Sequence, residues 1–188
     1  VASLVGSEMC IRDRENIYPE IFGSILPSSL KSFGNFFFTG ELSYNEDRIK
    51  SNFTLKNDNG EVYTDLDIFD FEDIDNASYV GIFRGINVDL SNFITLPFLG
   101  KSTFQFTIDG KGFVPELLNS KLEGKIDDLK IKDYNYSNID IFGDVSDKVF
   151  NGTLTVNDEN IQMDFIGLVD YSNQLIDFDF STNISKAN

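Results

Sequence analysis

The chain of 188 residues has no histidine, no tryptophan, one cysteine and four prolines, and its 15 lysines and arginines face 31 aspartates and glutamates. Each shortage excludes something. Without histidine, the common serine and cysteine nucleophiles lack their usual base. A lone Cys10 builds neither a disulfide framework nor a thiolate zinc site. A formal net charge of -16 argues against nucleic acid, whose phosphates are met by clustered lysine and arginine, and against electrostatic docking on an anionic membrane. No apolar run approaches the roughly 20 residues of a membrane-spanning helix.

What is present is material for burial. Hydrophobic residues make up 41% of the chain and 19 residues are phenylalanine, more than an acidic disordered segment carries. The first residues stand apart. "LVGSEMCIRDR", Leu4 to Arg14, reads as the translation of a transposon-end sequencing adaptor, so residues 1–14 are expected to be a non-native tail. Cys10 lies inside it, and its two acids cancel its two arginines, so the natural segment is expected to start near Glu15 and to keep the whole charge.

Helical spacing appears once, at Ile17, Ile21, Phe22, Ile25 and Leu26, which predicts short helices near 16–33 and a lead-in over 15–34. From residue 35 to 188 the period becomes two. "NFFFTGELSY" puts Phe36, Phe38, Leu42 and Tyr44 on one side, and "RIKSNFTLK" and "EVYTDLDIF" flank "NDNG", where Asn59-Gly60 predicts a tight hairpin. "YVGIFRGINVDL", "STFQFTIDG", "IDIFGDV", "VFNGTLTVN", "IQMDFIGLV" and "LIDFDFSTNI" alternate in the same way. "KLEGKIDDLKI" slips by one between Ile126 and Leu129, which predicts a bulge, and "VPELLNS" predicts a helical turn near 114–120. About ten antiparallel strands follow, an all-β meander with one apolar face. Pattern alone leaves a self-filling sandwich or barrel, its favoured solution, and an open trough both available.

Motifs for chemistry are thin. Among 31 acids, carboxylate pairs can be drawn anywhere, so no catalytic residue is assigned and the reading is of a non-enzyme without a cofactor. Asp67, Asp70, Glu72, Asp73 and Asp75 crowd one segment, yet the spacing of a helix-loop-helix calcium site is not met, so no metal ligand is assigned. Five Asn-x-Ser/Thr sequons, at Asn52, Asn76, Asn135, Asn151 and Asn183, are read as unmodified strand and turn positions. Gly81, Gly85, Gly124, Gly143, Gly152 and Gly167 precede no helix and so form no phosphate loop; they are read as marks of curvature or bulging.

The motifs "DGKGF", "LNSKLEGKI", "YNYSNI", "FNGTL" and "DFIGLVD", in that order, resemble the TamB branch of the AsmA-like superfamily (translocation and assembly module) in its Bacteroidota form. "LPSSLKSFGNFFFTGELS" is similar to the segment that introduces this region, so the resemblance runs from about Ile25 to the end. It implies a long curved antiparallel meander forming an open apolar groove, a β-taco, over 35–188. It further implies a middle section of a periplasmic protein anchored in the inner membrane, a bridge that passes phospholipids for outer-membrane biogenesis, sometimes with an outer-membrane barrel protein. Phospholipid acyl chains and the rest of the same polypeptide would be its partners. The groove would be lined by Phe104, Phe106, Ile108, Ile139, Ile141, Phe150, Leu154, Val156, Met163, Phe165, Phe178 and Phe180, with Asp164, Asp177 and Asp179 facing water. Two other readings stay open: a β-sandwich surface adhesin or glycan-binding module using Tyr134 and Tyr136, and an assembly factor whose sheet edge templates outer-membrane proteins.

Overall fold

A computed structural model describes residues 2–5, 8–12, 15–17, 35–45, 47–71, 73, 75–92, 98–113, 116–173 and 176–187. Ten strands form the meander: β4 (Phe36–Tyr44), β5 (Arg48–Asn57), β6 (Gly60–Phe69), β7 (Ser78–Asp89), β8 (Leu99–Lys111), β9 (Asn119–Ile131), β10 (Tyr134–Ser146), β11 (Val149–Asn157), β12 (Ile161–Asp170) and β13 (Asp177–Ala187). Each pairs antiparallel with the next. Three short strands precede them, β1 (Ala2–Val5), β2 (Glu8–Arg12) and β3 (Glu15–Ile17), with β2 and β3 both pairing with β4. Residues of the adaptor-like tail thus lengthen the sheet as backbone partners, which an open edge offers to any extended chain.

The all-β meander expected from the alternation is what the chain forms. It lies as one open, uncurled sheet with β1 and β13 at opposite edges, neither a sandwich nor a barrel among the described residues, so its apolar side is an open face. Two local expectations are corrected. Over 114–120 there is no helical turn among the described residues: Lys111 pairs with Asn119, and the strand ladder claims residues a helix would need. Asn16 and Ile17, placed in a helix by their spacing, belong to β3, while 18–34 lie outside the described residues. One turn of 3-10 helix, Leu90–Asn92, had no signal in the sequence.

Hairpin chemistry sets the register. Asn57 pairs with Gly60, so the tight turn sits on Asp58 and Asn59, one residue earlier than the Asn-Gly pattern implies, and Gly60 takes the positive φ of 134°. The Asn57 carboxamide accepts the Asn59 N–H at 2.8 Å, a side chain standing in for a backbone turn bond. Two-residue loops also join β9 to β10 through Lys132 and Asp133, and β10 to β11 through Asp147 and Lys148. Lys132 holds φ at 54°, a left-handed backbone that costs a side-chain-bearing residue about 1 kcal/mol. Lys132→Gly is therefore expected to raise stability by roughly 0.5–1 kcal/mol, read as a shift in the urea midpoint at unchanged slope.

The bulge predicted from the slip at Ile126–Leu129 is one of several that cross the sheet in a line. β7 carries one extra residue between Gly85 and Val88, with Asn87 at φ 54°; β9 carries Asp127 beyond what β8 offers; Asn138 of β10, at φ 52°, stands across from it. Each strand changes parity there, so Val88, Leu129 and Tyr136 stay on the same side as Phe104, Ile126 and Ile139. The centre of burial is on that side, where Phe36, Phe38, Leu55, Val62, Val88 and Phe104 pack with Phe53, Phe83 and Phe106.

Candidate functional site

Paired residues of an antiparallel ladder share a face, so the register assigns every side chain to one of two surfaces. Phe104 pairs with Ile126, Phe106 with Gly124 and Ile108 with Leu122. Ile126 pairs with Ile139, which pairs with Val156, which pairs with Met163. Ile141 meets Leu154, which meets Phe165. Phe150 pairs with Val169, which meets Phe178, and Gly167 meets Phe180. All twelve residues singled out from the sequence thus stand on one face, and Asp164, Asp177 and Asp179 stand on the other.

Burial along that face is graded. Phe104, Ile139 and Val156 are buried, Phe106, Ile108, Ile141, Phe150, Leu154, Met163 and Phe165 are half-buried, and at the β13 edge Phe178 and Phe180 are 59% and 48% exposed. Ile184 beside them is 52% exposed. A chain that covers its apolar face well over β4 to β8 leaves it to solvent over β12 and β13.

Glycines shape the surface, in a way alternation did not reveal. Gly40 pairs with Phe53, Gly85 with Phe104, Gly124 with Phe106 and Gly167 with Phe180, and at Gly85 and Gly124 the partner's ring lies across the residue without a side chain. A methyl built on Gly85 would stand 2.5 Å from the Phe104 ring, and one on Gly143 2.7 Å from the Phe150 ring. Rings laid over glycines cover backbone that would otherwise be wet and keep the face low. Adjacent rings touch: Phe83 and Phe104 have centroids 5.6 Å apart, Phe104 and Phe106 5.3 Å, and Phe165 and Phe180 4.9 Å.

A polar latch closes one end of the face. Asp158 is 3% exposed, and its carboxylate accepts the Tyr134 hydroxyl at 2.6 Å, the Ser137 N–H at 2.9 Å, the Ser137 hydroxyl at 2.8 Å and the Asn160 N–H at 2.9 Å. The Asn160 amide in turn donates to the Tyr134 oxygen at 2.7 Å. These bonds, the Tyr134 hydroxyl first, hold the Asp158 carboxyl well below the usual carboxylate range and push the Tyr134 phenol up. Tyr134 and Tyr136, the glycan candidates, lie on the apolar face edge to face at 4.7 Å, with the Tyr134 hydroxyl already committed.

The opposite face is polar with a few exposed apolar groups, chiefly Phe142 and Ile166 at 62% and 60% exposed. A hollow of about 410 Å³ there is bordered by Gln105, Thr107, Glu123, Lys125, Asp140, Phe142, Thr153 and Thr155. A second hollow of about 490 Å³ lies at a sheet end between Phe98, Lys101, Asp128 and Lys130. Among the described residues no three acidic or cysteine side chains gather as metal ligands, and no helix is long and apolar enough to cross a membrane. No family model, no curated protein and no solved structure matches the chain.

Proposed function

We propose that the apolar face of this sheet holds the acyl chains of phospholipids, as a section of a periplasmic lipid-transfer bridge of the TamB and AsmA-like kind, without enzymatic chemistry. The observation that carries the reading is the segregation of faces, with an aromatic face left open to solvent over β12 and β13 while the acids Asp164, Asp177 and Asp179 stand behind it. Passing a 16-carbon acyl chain through water costs on the order of 13 kcal/mol at about 0.8 kcal/mol per methylene, and a continuous apolar surface removes most of that. At about 4.8 Å per strand, ten strands span about 45 Å, a section of a bridge between membranes. The rest of the same polypeptide and an outer-membrane barrel protein are the partners this role calls for, in a parent anchored in the inner membrane.

Purified chain is expected to carry phospholipid in native mass spectra. Replacing Phe106, Leu154 and Phe165 by Asp is expected to abolish that lipid, and Phe178→Ser with Phe180→Ser, at exposed positions that the fold does not need, to reduce it severalfold with the far-ultraviolet β signal intact. Lipid content unchanged in the folded double-serine variant would sink the reading.

A further inference from the structure

We propose that the hollow at the ends of β7 to β10 is a subsite for the phosphodiester of a phospholipid whose acyl chain lies on the apolar face, so that headgroups are held at one rim of the sheet. The meander has two such rims. One gathers the ends of β5, β7 and β9 with the starts of β6, β8 and β10, and the other gathers their opposite ends. In a chain of net charge -16, Lys101, Lys130 and Lys132 all line a single hollow of about 490 Å³ at the first rim. All three are exposed, and none has an ion-pair partner among the described residues. An ammonium group binds phosphate as a point charge with three donors.

Two carboxylates share the hollow, Asp89 and Asp128, so three ammonium groups face two acids. One Asp89 oxygen is already engaged, accepting the Ser91 N–H at 3.1 Å and the Ser91 hydroxyl at 2.7 Å. Asn87 and Asn135 add amide donors to the lining. Lys130 pairs with Asn135 and lays its stem over Gly100, where an added Cβ would stand 3.2 Å from the lysine's Cβ and Cδ. The glycine thus makes room for the stem beside Lys101.

The other wall of the hollow selects a lipid phosphate over a free anion. Phe98, 42% exposed, and Leu99 line it as well. Leu99 pairs with Ile131, and Ile131 with Tyr134, so Leu99 stands on the apolar side of the sheet with Leu129 and Phe104. A molecule in the hollow therefore meets ammonium groups and then the first residues of the apolar surface, the order of groups along a phospholipid. The second rim has the contrary charge. Asp47, Asp70, Asp73, Asp147 and Asp170 lie on its turns, and its Arg48 and Lys148 are already paired, with Asp67 at 2.7 Å and Glu116 at 2.6 Å. An anionic headgroup is repelled there and drawn to the lysines.

The inference rests on the acyl-chain reading of the apolar face, and titration of the full chain followed by amide chemical shifts separates the two. The probes are dihexanoylphosphatidylglycerol, dihexanoylglycerol, which has the same chains and no phosphate, and inorganic phosphate. The phosphatidyl lipid is expected to shift Gly100, Lys101 and Lys130 and to bind more tightly than either other probe. Lys101→Gln with Lys130→Gln is expected to weaken it about tenfold or more and to leave dihexanoylglycerol unchanged, with circular dichroism checking the β content. Raised salt, which screens exposed charge, is expected to produce the same loss in the unaltered chain. Equal binding of the two lipids at low salt, or phosphatidyl binding indifferent to both salt and the lysine changes, overturns the inference and leaves the acyl face standing. Inorganic phosphate that shifts these amides while neither lipid shifts the apolar face makes the hollow a site for a free anion and sinks both readings.

Discussion

Replacing Asp158 by Asn is expected to lower stability by about 2–4 kcal/mol at neutral pH, a loss far beyond what a surface turn residue in "NDEN" would give. The substitution keeps shape and volume while turning an acceptor oxygen into a donor amide. Both carboxylate oxygens are in use, one for the Tyr134 hydroxyl and the Asn160 N–H, the other for the Ser137 N–H and hydroxyl. Either orientation of the amide sets donor against donor in a site 3% exposed. Tyr134→Phe removes its bond to Asp158 and the Asn160 bond to its oxygen but leaves three bonds on the carboxylate, so its cost is expected to be smaller than that of Asp158→Asn.

Acid gives the second half of this test. The Asp158 carboxyl is held below its ordinary value of 3.8 in the folded chain, chiefly by the Tyr134 hydroxyl and the Asn160 N–H. A group lowered in this way contributes its full stability above the unfolded-state value and loses it as pH falls below that value toward the folded one. The gap between the wild type and Asp158→Asn, measured by urea unfolding, is therefore expected to hold from pH 7 to about 4.5 and to narrow below about 4. A gap of constant size down to pH 2.5 would show that the carboxylate's charge contributes nothing.

Gly124→Val is expected to cost about 2–3 kcal/mol, although valine is the better strand former by up to about 1 kcal/mol. A Cβ at Gly124 would stand 2.2 Å from Cδ1 of Phe106 and 2.3 Å from the Gln105 carbonyl oxygen, distances no real side chain tolerates. The ring has an escape, toward solvent, and the carbonyl has none short of moving β8. Adding Phe106→Leu to Gly124→Ala should therefore recover only part of the loss in thermal unfolding. A stabilised Gly124→Val would mean that the ring does not lie across the glycine.

The face assignment was legible because it needs parity alone. Phe104 and Leu154 alternate with polar neighbours, and a strand period of two leaves no choice once one residue faces inward. Even the parity change after Ile126 was visible, since two aspartates in succession break the alternation before Leu129 resumes it. The pairing of rings with glycines was not, because Phe106 and Gly124 lie 18 positions apart and meet only through the register of one hairpin. The Asp158 latch was hidden for the same reason: its tyrosine comes 24 residues earlier, and aspartate in a turn is ordinary. The expected helical turn over 114–120 failed where local apolar spacing competed with a ladder already committed at Lys111 and Asn119.

From β4 onward the sheet follows the chain in strict order, and each strand has its extensive contacts only with the one before and the one after. Such a molecule is divisible in a way that a sandwich is not, for no distant segment must return to complete an interior. Loss of a terminal hairpin shortens it without opening a hole. Length becomes a quantity that duplication or deletion of hairpins can adjust, one strand spacing at a time.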